Sequence, residues 1–147
     1  MSDISILSHE YKEASELSQA VSRAVISVKK VHQGLPGAEK ITPKQLGDSR
    51  NYLANILDAL FYLLDPNMAN GSALASATGQ IPGALVARLH SERRGDLPYY
   101  LEDLKRVSTR LRQGASNLTD EDLSLLDHIA ALADVQTSSV FRRLMRG

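Results

Sequence analysis

The chain has 147 residues, 43% of them hydrophobic and 23% charged, with 17 Lys plus Arg against 17 Asp plus Glu. This length suits one domain with one sizeable core, and zero net charge supplies no general attraction to nucleic acid or to an anionic membrane. Cysteine is absent, which excludes disulfides, thiolate metal sites and a cysteine nucleophile.

Trp is also absent and aromatics are 5%, a poor composition for a ligand cage or a base-stacking surface. Residues Met1 to Glu10 show neither a basic segment nor an apolar run, so no secretory signal is expected. The apolar runs fall far short of the ~20 residues of a membrane span. Together these features suggest a cytoplasmic protein with no membrane contact.

The first helix is expected from about Ser8 to Gln33. Leu7, Tyr11, Ala14, Leu17, Val21, Ala24, Val25, Val28 and Val31 form one stripe, with Lys12, Glu13, Glu16, Arg23, Lys29 and Lys30 opposite. Acids come early and bases late, which suits the helix dipole. Gly34, followed by Leu35-Pro36-Gly37, is the stop.

Thr42-Pro43-Lys44-Gln45 then combines a hydroxyl N-cap, a proline at the first helical position and a glutamine placed for a capping box. The helix it opens carries Leu46, Leu53, Ile56, Leu57, Leu60, Phe61, Leu63 and Leu64, and becomes apolar nearly all round. Asp48, Asn51, Asn55, Asp58, Tyr62 and Asp65 share a narrow polar strip, and Asp65-Pro66 ends the element. Such a helix is normally wrapped by others. A carboxylate on it needs a partner, so either the strip faces solvent or Asp58 pairs with an arginine of a neighbouring helix; the alternative is a ligand or metal site shared with another helix.

Residues 67–80 are small and polar, with a turn at Asn70-Gly71, and read as a mobile loop holding one short helix. Pro82 starts a helix to about Arg94 that buries Leu85, Val86 and Leu89. Gly95 closes it and Asp96 caps the next, which carries Leu97, Leu101, Leu104, Val107 and Leu111 to a stop at Gly114. Thr119-Asp120-Glu121-Asp122 opens another helix through Leu123, Leu126, Ile129, Ala130 and Ala133. Thr137 or Ser138 is expected to cap a separate basic helical stub over 137–147. The architecture predicted is all-α: a single domain over 1–147, a bundle of about five to seven helices around the apolar helix at about 43–64.

Catalytic and metal-binding patterns are missing. No Glu stands three residues from any of His9, His32, His90 or His128, as a carboxylate-bridged metal centre in a bundle requires. Ser27-Val28-Lys29-Lys30 lacks the companion motifs of the acyl enzymes whose Ser-x-x-Lys it matches. Phosphate-binding glycine loops are absent. Arg94-Gly95-Asp96 is accounted for by a helix stop followed by a cap, and His90 lacks the Lys-Gly pair of a phosphotransfer site. No enzyme activity, cofactor or metal is expected.

The C-terminal stretch, Ile129 to Val135, a break, then Ser138 to Leu144, resembles a helix-turn-helix. It is also similar to the helical half of a ribbon-helix-helix, with Lys105 to Leu111 as the strand. Arg143 stands where an apolar residue belongs in the first motif, and Asp134 where a glycine is usual. The resemblance implies nucleic-acid contact through Arg142, Arg143 and Arg146, helped by Arg106 and Arg110. The first expectation is nevertheless a non-enzymatic helical interaction module, a subunit or adaptor with a protein partner or a second copy of itself. A small nucleic-acid-binding regulatory or assembly protein is the alternative.

Overall fold

The computed structural model describes residues 2–64, 97–114 and 118–146. Among these are four α-helices, one turn of 3-10 helix and no strand: α1 (Ser2–Gln33), the 3-10 turn Ala38–Lys40, α2 (Pro43–Leu64), α3 (Leu97–Gln113) and α4 (Asp120–Arg146). The described chain is all-α, as expected.

The helix ends follow from local chemistry. At the end of α1, Gly34 adopts a left-handed φ of 62°. Its N–H donates to Val31 O at 3.4 Å and that of Leu35 to Lys30 O at 2.9 Å, the paired bonds that satisfy orphan carbonyls at a glycine stop. Gly114, with φ of 128°, follows α3. The α2 start is a complete capping box. Thr42 Oγ1 accepts from the Gln45 amide at 3.1 Å, and Gln45 Oε1 from the Thr42 amide at 2.9 Å.

Topology follows from contacts and loop lengths. Arg50 reaches Leu111 and Ser108 reaches Ala54 and Asp58, so residue numbers rise on α2 as they fall on α3. The two helices are antiparallel. Residues 34–42 join α1 to α2 and 114–119 join α3 to α4, and short connections between packed helices make antiparallel neighbours. The arrangement is up-down-up-down, with α1 against α4, α2 against α3 and α1 against α2. All four helices meet in one core: Leu17, Val21, Val25 and Val28 of α1, Leu53, Ile56, Leu57 and Leu60 of α2, Leu104, Val107 and Leu111 of α3, and Leu123, Leu126 and Ile129 of α4.

The structure corrects three expectations. First, α1 begins at Ser2, before the expected start near Ser8. Second, the break near Asp134 and the cap at Thr137 or Ser138 are absent, because residues 134–138 lie inside continuous α4. Asp and Ser are weak helix breakers, and the apolar register on either side passes through them without a phase shift. The helix-turn-helix shape is lost with that turn. Third, Lys105 to Leu111 is helical within α3, which removes the strand of a ribbon-helix-helix. The loop at 67–80, the helix from Pro82 to Arg94, the stop at Asp65-Pro66 and the cap at Asp96 lie outside the described residues.

Candidate functional site

Among the described residues four polar side chains are buried on the apolar stripes, Ser18, Arg50, Ser108 and Asp122, and the interhelical chemistry gathers around the last three. Arg50 is one turn before Leu53 and Ala54 on α2, Ser108 one turn after Leu104 on α3, and Asp122 one turn before Leu126 on α4. All three are buried.

Arg50 crosses from α2 to the end of α3. Its Nε donates to Leu111 O at 2.7 Å and its Nη2 to Arg110 O at 3.0 Å. These carbonyls belong to the last turn, where no intrahelical donor follows and the helix dipole is negative. Burial lowers the Arg50 pKa from its ordinary value, yet arginine starts so high that it remains a cation. The fork of donors is therefore a charged C-cap supplied by another helix.

Asp58 is the centre of the second cluster. Its Oδ1 accepts from Ser108 Oγ at 2.5 Å and its Oδ2 pairs with Arg112 Nη1 at 2.8 Å. Arg112 Nη1 also donates to Ser108 Oγ at 2.8 Å, and its Nη2 to Asn55 Oδ1 at 2.8 Å. The expected pairing of Asp58 with an arginine of a neighbouring helix is what the structure contains. Asp48, Asn51 and Asn55 of the same strip are exposed.

Asp122 joins α3 to α4. It is wholly buried, accepts from the Thr119 amide at 3.0 Å, and takes two bonds from Arg110 Nη1, at 3.1 and 2.8 Å. Thr119 Oγ1 accepts from the Asp122 amide at 3.2 Å, completing a second capping box with aspartate in the usual glutamate's place. Burial by itself would raise the Asp122 pKa. The Thr119 amide and the Arg110 guanidinium outweigh it, and the carboxyl titrates below its ordinary value. Arg106 adds a longer contact to Asp122, 3.7 Å from Nε, while its Nη1 pairs with Asp103 at 2.8 Å.

The five arginines singled out for nucleic acid do not form one patch. Arg106 and Arg110 face the buried Asp122. Arg142 and Arg146 are exposed and lie twenty residues or more along α4 from Asp122, which is about 30 Å on a straight helix. The backbone of Arg143 belongs to the same helix.

No group of three or more His, Cys, Asp or Glu among the described residues is arranged to hold a metal ion. Among them, too, no helix is long and apolar enough to cross a membrane. Lys29, of the Ser27–Lys30 stretch, pairs with Asp127 at 2.9 Å and ties α1 to α4.

Arg50 and Ser108 are the residues that sequence reasoning missed, and Asp122 was read only as an acid near a helix start. One signal would have found all three: a polar side chain in phase with an apolar stripe needs a partner from the helix it faces. No protein-family model, curated protein or solved structure matches the chain.

Proposed function

We propose that the protein is a non-enzymatic helical interaction module, a cytoplasmic subunit or adaptor that works through helix faces without cofactor or metal. The observation that carries this reading is that the polar groups between the helices engage one another. Arg50, Asp58, Ser108, Arg110 and Asp122 bind one another or backbone carbonyls across helices, and so are committed to holding the bundle. What remains available on the long helices is their outer faces. Lys12, Glu16, Gln19, Arg23 and Ile26 are exposed on α1, and Asp127, Ala131, Asp134, Arg142 and Met145 on α4. In the same reading α2 is the centre of the complete bundle of about five to seven helices. Its support is the burial of Leu53, Ala54, Ile56, Leu57, Ala59 and Leu60.

The second reading, nucleic-acid binding, is favoured by one observation: Arg142 and Arg146 are exposed and form no ion pair with a described residue. Against it stand Asp120, Glu121 and Asp127 exposed on the same helix, together with a net charge that gives no long-range steering.

Native purification with quantitative crosslinking tests the first reading. The expected result is a stoichiometric protein partner, or a second copy, whose crosslinks map to α1 and α4 and are lost on reversing charges there. Fluorescence anisotropy with mixed-sequence duplex DNA, read at two salt concentrations, tests the second. Sub-micromolar binding with a slope near −0.9 per phosphate, abolished by Arg142→Ala/Arg143→Ala/Arg146→Ala without loss of helicity, would overturn the first reading in favour of the second.

A further inference from the structure

The outer stripe of α4 is its own complement. Ala131, Asp134, Arg142 and Met145 are exposed and follow one another at steps of three, eight and three, so they lie along one face of the helix. About position 138 they are arranged symmetrically. Asp134 and Arg142 stand four residues either side, Ala131 and Met145 seven. An acid is thus mirrored by a base and a small residue by a long apolar one. Met145 is 69% exposed, the most exposed large hydrophobic residue among those described.

The helix dipole accounts for Asp120 to Asp122 at one end and for Arg142 and Arg146 at the other, but its reach is the first and last turns. Asp134 is in the middle. It cannot pair with Arg142 on the same helix, since eight residues separate them by about 12 Å. Neither residue has an ion-pair partner among the described residues.

We infer that this stripe is a symmetric homodimer interface, in which α4 of one copy lies antiparallel on α4 of a second and the two-fold axis passes near position 138. Asp134 then meets Arg142 of the second copy twice over, and each Met145 covers the facing Ala131. Arg146 falls within one turn of the facing Asp127. A two-fold contact uses the same patch on both copies, so the patch must carry both halves of every interaction, as this one does. Zero net charge leaves no overall repulsion between copies. The overlap is about seventeen residues long, or about 24 Å, which places the dimer among small, reversible interfaces with a Kd of roughly micromolar order.

The inference rests on the interaction-module reading and names its partner. Sedimentation velocity over a range of concentrations, with circular dichroism to confirm that each variant is folded, tests it. The full chain should dimerise. Asp134→Arg or Arg142→Asp alone should weaken the dimer by about tenfold or more, since each places two like-charged pairs face to face. The double variant Asp134→Arg/Arg142→Asp should dimerise again, and the two single variants mixed together should form a heterodimer. A chain monomeric at about a hundred times that Kd, or a dimer indifferent to the reversals, overturns the inference. The first of these results leaves the interaction-module reading intact, because a different protein can still be the partner. That reading fails separately, through the crosslinking and DNA-binding measurements.

Discussion

Arg50 and Leu111 are sixty-one positions apart, yet the Arg50 Nε donates to the Leu111 carbonyl at 2.7 Å and closes the end of α3 from α2. This contact sets the height of the antiparallel α2–α3 pair, because only at that register do the Arg50 fork and the last carbonyls of α3 coincide. Arg50→Ala should lower stability by about 2–4 kcal/mol, reflecting two charge-assisted bonds and two stranded acceptors. Arg50→Lys should recover only part of the loss, since one ammonium cannot reproduce the planar fork. Urea unfolding of the three proteins provides the comparison, and equal stability of all three would show that the carbonyls find other donors.

Asp122 makes stability depend on acid. Its folded pKa lies below the ordinary carboxylate value, whereas in the unfolded chain it returns to about 3.9. The stabilisation is therefore complete above the unfolded value and is lost as pH falls through the folded one. Asp122→Asn should cost about 2–3 kcal/mol at neutral pH, less than the ~3–5 of a fully buried pair because Arg110 is partly solvated. The gap between the variant and the parent should narrow below pH ~4. Thermal melts at neutral and acid pH measure it, and a gap independent of pH would assign the loss to packing.

Asp58 and Arg112 form a geometrically good but half-exposed pair, with side chains 37% and 42% accessible. A double-mutant cycle of Asp58→Ala and Arg112→Ala should return a coupling of about 0.5–1 kcal/mol, as solvent screening limits such pairs. A value several-fold larger would mean that Ser108 and Asn55 bind the two into a cooperative network.

Leu57 is 1% exposed and Leu35 40%. Leu57→Ala should destabilise by about 2–5 kcal/mol, and Leu35→Ala by about 0.5 or less. Comparable losses would place the core elsewhere.

The continuity of α4 through position 137 can be tested with proline. Inside a helix, Thr137→Pro removes a backbone bond and clashes with the preceding turn, costing about 3 kcal/mol locally, whereas at the start of a separate helix it is tolerated. Far-UV circular dichroism should show helicity lost from the last turns of α4. Unchanged helicity would restore the break.

Much of this was legible in residue order because it depends on neighbours within a few positions. The capping box at Thr42, the glycine stops at Gly34 and Gly114, and the stripes through Val21, Leu57 and Leu104 are local in this sense, and with the absence of any strand period they determined the all-α character of the described residues. Helix continuity was harder. At Asp134 the local preference is weak, and near neighbours alone do not decide whether α4 turns or runs on. Partner choice was legible only as a residue type, an arginine for Asp58, and not as a position. Nothing near Arg50 announces Leu111, and nothing near Arg110 marks Asp122, rather than a phosphate, as the anion it binds. Those assignments depend on which helices are neighbours and at what height, quantities that exist only once the whole core has closed.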